Sequence, residues 1–108
     1  MKNTFLAVTF SPMMLKSGKS ARVEEISLDQ ANDLLSGKWQ SAVGHEVTAA
    51  VLTVLLGREV PFARVNLSLD SGDRVVCIIP SFRASEAREF TREEVESAGS
   101  RAFLVTIG

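Results

Sequence analysis

Apolar residues are densest between Ser41 and Gly57, SAVGHEVTAAVLTVLLG. Val47, Val51, Val54 and Leu55 share one helical face, and Ala49, Leu52 and Leu56 share a second. The pattern predicts a helix over 45–56, packed on more than one side and ended by Gly57. Upstream, residues 4–10 read as a first strand buried on both faces, and Ser11-Pro12 breaks it. Residues 21–26 read as a second, short strand with Val23 and Ile26 inward. Ser27 and Gln30 have the spacing of a capping box and open a short helix through Leu34 and Leu35. Downstream, Val65, Leu67 and Leu69 alternate with Asn66 and Ser68, the period of a half-buried strand. Asp70-Ser71-Gly72-Asp73 signals a turn, and residues 74–79 form the returning strand. Its run VVCII is too continuous for an exposed strand and predicts a central place in the sheet. Thr91 and Glu94 form another capping box before a last helix to about Ala98, and Phe103, Val105 and Ile107 alternate in a final strand. The order β-β-α-α-β-β-α-β describes one α/β domain over residues 1–108, a mixed sheet of about five strands flanked by helices.

Composition narrows the function classes. A chain of 108 residues has room for one core. A formal net charge of −1 provides no broad basic surface, so duplex nucleic acid is not the expected partner. The single cysteine, Cys77, excludes an intrachain disulfide and fits a reducing cytoplasm. No apolar run approaches membrane-spanning length, and the opening MKNTFLAVTF reads as a strand with no cleavage pattern behind it.

The chemistry the residues permit is correspondingly limited. One histidine and one cysteine cannot supply a usual zinc set, and no clustered aspartates suggest magnesium, so neither metal nor cofactor is expected. There is no G-x-S-x-G elbow for a serine nucleophile, and Cys77 reads as a small buried hydrophobe. Ser17-Gly18-Lys19-Ser20 is like the tail of a P-loop, but Met13 stands where the first glycine belongs. What remains is metal-free chemistry on a phosphate. The only histidine, His45, follows Gly44 at the start of the main helix, where free N–H groups and the helix dipole favour an anion. Arg64 and Arg83 can hold anionic oxygens. Arg83, Ser81 and Glu86 lie in the polar stretch PSFRASEAREF, the best candidate for a functional loop.

The stretch SAVGHEVTAAVLTVLLGREVPFARV resembles the signature S-[AI]-[VI]-G-H-[ED]-x-T, a Leu-rich helix, then G-x-x-x-P-x-x-R-[VI]. That signature belongs to a small viral and prokaryotic family that includes anti-CRISPR ring nucleases. LAVTFSPMML, VEEISLDQANDLLSG and SFRASEAREFTREEVESAG extend the resemblance over nearly the whole chain. It implies cleavage of cyclic tetra-adenylate, the second messenger of type III CRISPR defence, by a metal-independent homodimer. By position, the resemblance makes His45, Arg83 and Glu86 catalytic and Ser11, Gly44, Arg64 and Ser81 ligand-binding. The chain departs from the pattern at Val8 and Met13, where relatives often carry Asn, and at Ala87, where many carry Gly. The competing expectation is a module of the same fold that binds a cyclic oligonucleotide, or another nucleic acid, without cutting it.

Overall fold

The computed structural model of the chain describes residues 3–80, 93 and 100–108. Five strands form one mixed sheet: β1 (Thr4–Ala7), β2 (Ala21–Ile26), β3 (Gln40–Ser41), β4 (Arg74–Pro80) and β5 (Ser100–Ile107). Their order across the sheet is β2-β5-β4-β1-β3. Strand β1 runs parallel to both β3 and β4, with Leu6 opposite Ser41 on one side and Val76 on the other. The β4–β5 and β5–β2 pairs are antiparallel. Central β4 carries the run predicted for it, and Val75 through Ile78 are buried.

The two faces are covered differently. Leu6, Val76, Ile78 and Ala102 pack against α1 (Leu28–Leu34) and α2 (Glu46–Leu56) through Ala31, Leu35, Ala49, Leu52 and Leu56. On the other face, Ala7, Val75, Val105 and Ile107 are covered by Leu69 with Phe10, Met14, Leu15 and Leu67, all from connecting segments. Helix α1 starts as its spacing predicts. The Ser27 hydroxyl accepts from the Gln30 N–H at 3.1 Å, and the Ser27 N–H donates to Gln30 Oε1 at 2.9 Å. Helix α2 ends at Gly57, whose φ of 67° lies in the left-handed region that favours glycine.

Four expectations are corrected. No strand forms over 65–69. Leu69 makes one isolated parallel bridge to Leu15, and Val65 is exposed. Leu67 and Leu69 alternate with polar residues because they cover the second sheet face, without joining the ladder. The predicted turn is present, with the Asp73 N–H donating to the Asp70 carbonyl at 3.0 Å, but it leads from that covering segment into β4. The fifth strand is the two-residue β3, too short to show a period. The first strand stops at Ala7, three residues early. Val23 is 55% exposed: β2 is an outer strand, and no buried cluster among the described residues takes it in. Of the last helix only Glu93 is described, and it is helical.

Candidate functional site

The three parallel strands β1, β3 and β4 end at one edge of the sheet. After β1 the chain crosses to β2 at the far edge, returns through α1 to β3 beside β1, and then passes through α2 to β4 on the other side of β1. In open α/β sheets ligands commonly bind outside the carboxyl ends of the parallel strands. Helix α2 begins just beyond β3, so its first turn stands at this edge.

His45 is the N-cap of α2, with φ −133° and ψ 127°. It lies one residue outside the helix, where the sequence pattern had placed it in the first turn. Its carbonyl accepts the first helical bond, from the Ala49 N–H at 2.9 Å. Its imidazole makes no capping hydrogen bond and is exposed. A serine or aspartate at this position would turn its side chain onto the helix N–H groups. The histidine ring is left available, and the N–H groups of the first turn remain donors for an anion.

The segment returning from α2 is tied beside the same turn. The Ser41 hydroxyl donates to the Pro61 carbonyl at 2.6 Å, and the Ala63 N–H donates to the Val43 carbonyl at 2.9 Å. Further back, the Thr53 hydroxyl donates to the Ala49 carbonyl at 2.8 Å and accepts from the Val60 N–H at 2.9 Å. These bonds bring Arg64 over Gly44. A Cβ added to Gly44 would sit 3.6 Å from Arg64 Cγ and 4.0 Å from its Cα. Arg64 therefore lies against Gly44, the residue before His45. Arg64 is exposed and makes no ion pair with another described residue.

Ser11 leaves the same edge, in the segment after β1. It caps a single 3-10 turn (Pro12–Met14), its hydroxyl accepting from the Met13 N–H at 3.3 Å. Ser81, Arg83 and Glu86 lie outside the described residues. Strand β4 ends at Pro80, so the stretch that holds them begins at the carboxyl edge. Among the described residues no three His, Cys, Asp or Glu side chains gather as metal ligands. Cys77 is buried on β4, and burial pushes its thiol up to about 11, which removes it as a nucleophile.

Three positioning residues escaped the sequence reading. Ser41 acts on a partner far along the chain, and Thr53 joins α2 to the segment that leaves it. Arg58 donates through Nη1 to the Leu35 carbonyl and through Nη2 to the Asn32 carbonyl at 3.3 Å, joining the end of α1 to the end of α2. A cation directly after a helix-ending glycine is a weak signal of that role.

Known proteins place the fold. The structure is similar to B116 of Sulfolobus turreted icosahedral virus, with a TM-score of 0.82 at 21% identity, covering 96% of this chain and 98% of that one. In sequence it is similar to uncharacterized protein 26 of Sulfolobus islandicus filamentous virus, 36% identical over 97 residues, 86% of this chain and 82% of the relative. It is also similar to uncharacterized protein ORF117 of Acidianus two-tailed virus, 28% identical over 87 residues, 77% of this chain and 74% of the relative. The STIV B116-like family model matches residues 4–102, nearly the whole length, and the chain belongs to that family.

Proposed function

We propose that the chain is a metal-independent ring nuclease that cleaves cyclic tetra-adenylate and so switches off type III CRISPR signalling. The observation that carries this reading is the placement of His45. Its exposed ring makes no capping bond at the mouth of α2, and Arg64 lies against the preceding residue, Gly44. The signature around these residues, and relatives encoded by archaeal viruses, support a viral role in the cytoplasm of the infected cell.

In the reaction, a ribose 2′-oxygen attacks the adjacent phosphorus in line and the P–O5′ bond breaks. The imidazolium of His45 gives its proton to the leaving 5′-oxygen. Arg83 balances charge on the phosphoryl oxygens, and the proton of the attacking 2′-hydroxyl passes to the Glu86 carboxylate, or to water with Glu86 acting on the state of His45. The products are linear oligoadenylates with 2′,3′-cyclic phosphate ends. A phosphate seated on the first-turn N–H groups would be held next to the residue that gives the proton. A two-fold homodimer supplies two copies of His45 around a two-fold ring and doubles the cations facing it.

The test is incubation with cyclic tetra-adenylate in EDTA. The wild type should release cyclic-phosphate products, and His45→Ala should lose roughly a hundredfold or more in rate. Tight binding without turnover by the wild type would favour the sequestering module. No binding would remove both readings.

A further inference from the structure

Residues 59–68 form neither helix nor strand, yet Arg64 is held over Gly44. The segment leans on β3, which ends the sheet and pairs on one side only, with β1. The Ala42 N–H bonds to the Leu6 carbonyl of β1 at 2.8 Å, so Ser41 and Val43 on either side of it turn their backbone groups away from β1. Pro61 has no N–H to donate and cannot complete a backbone pair there. Its carbonyl is taken by a side chain instead, the Ser41 hydroxyl, at 2.6 Å. Two residues on, the Ala63 N–H donates to the Val43 carbonyl at 2.9 Å.

A serine hydroxyl has one proton and accepts through its lone pairs. The Val43 N–H donates to Ser41 Oγ at 3.3 Å, and the hydroxyl proton goes to Pro61. These bonds close a ring: Ser41 to Pro61, along the chain to Ala63, across to Val43, and back to Ser41. Gly44 follows Val43 and Arg64 follows Ala63, so the two leave the ring side by side. Thr53 fixes where the returning segment starts, through the Val60 N–H. Ser41 fixes where it passes the residues that lead into α2.

From this ring of bonds we propose that Ser41 is the positioning residue that holds Arg64 where an anionic oxygen of the ligand meets it. Its one proton is committed to Pro61, so it has none to give a phosphate and acts through the returning segment. The inference rests on the reading of this edge as a site for a cyclic oligonucleotide. Pro61 is exposed, so water can take its carbonyl when the hydroxyl is removed. Loss of the hydroxyl therefore shows in the placement of Arg64 and leaves the chain folded.

Calorimetric binding of cyclic tetra-adenylate tests it, in a His45→Ala background that prevents turnover. The full chain is compared with Ser41→Ala, Ser41→Thr, Arg64→Met, and Ser41→Ala combined with Arg64→Met, and circular dichroism checks that each is folded. Ser41→Ala should weaken binding about fivefold or more while Arg64 is present, and by less than about twofold once Arg64 is Met. Threonine keeps the hydroxyl and should restore the parent affinity. In the free chain, the Ala63 amide should exchange about tenfold faster in Ser41→Ala than in the wild type. The proposal is overturned if Ser41→Ala binds as tightly as its parent, or if its effect is the same with and without Arg64. It is equally overturned if threonine does not restore binding, or if exchange at Ala63 is unchanged. A wild type that binds the ring without cutting it would end the nuclease reading and leave this one standing, whereas a chain that binds no ring would overturn both.

Discussion

At the scale of single residues, the site is defined by what His45 is not used for. A cap that bonds its own helix contributes about 1 kcal/mol, and its removal shows in stability. The His45 ring makes no such bond and is exposed. His45→Ala is therefore expected to shift the unfolding midpoint by little, within about 0.5 kcal/mol, while abolishing cleavage. Urea denaturation run beside the activity assay checks this. A large loss of stability would show that the ring is structural, and the assignment of its chemistry would fail with it. The place of this residue at the helix start was legible because it stands between a glycine and an apolar run. Arg64 was legible as a cation but not as a neighbour of Gly44. The contact over Gly44 depends on hydrogen bonds from Ser41 and Ala63 that join segments about 20 residues apart.

At the scale of elements, helices were easier to read than strands, and the reason is local. Ser27 and Gln30 lie within one turn of each other, as do Thr53 and Gly57, so their bonds are written in short spacing. Strand β3 is two residues long, and the alternation over 65–69 reports burial against a sheet face, which a covering segment shares with a strand. How α1 is held to α2 was not legible, since Arg58 acts through carbonyls more than 20 residues away. Arg58→Met keeps the apolar stem and removes both bonds. It should cost about 1–3 kcal/mol, measured as a lower urea midpoint at unchanged slope. A second joint ties the 16–19 loop to the turn before β4. Lys16 and Lys19 each reach Asp70 at 3.3 Å, and the Ser71 N–H donates to its carboxylate at 2.8 Å. The backbone N–H of Ser71, and then the two lysines, hold the Asp70 carboxyl down at about 2. A carboxyl depressed by folding stabilises the protein above its unfolded value of 3.8 and loses that contribution as pH falls toward 2. Asp70→Asn should thus unfold with a flatter dependence on pH across that window than the wild type, and the two curves should converge at its acid end. Parallel curves would show that the carboxylate is equally solvated in both states.

At the scale of the whole molecule, the proposed ring cleavage makes symmetry decide the products. The parallel strands deliver His45 and Arg64 to one edge, and one chain presents one imidazole there. A cyclic tetranucleotide seated across a two-fold axis would meet two such groups at opposite phosphates. Two cuts release dinucleotides, whereas a single cut leaves a linear tetranucleotide. Mixing wild type with His45→Ala and isolating the hybrid dimer through distinct tags leaves one working imidazole per ring. The hybrid should accumulate linear tetra-adenylate with a 2′,3′-cyclic phosphate, at about half the initial cutting rate of the wild type, since each site acts once per binding event. Chromatography of the products with time reads both quantities. A hybrid that releases dinucleotides as fast as the wild type would mean that one chain acts alone. The two-fold arrangement around the ring would then be discarded, although cleavage by His45 would stand.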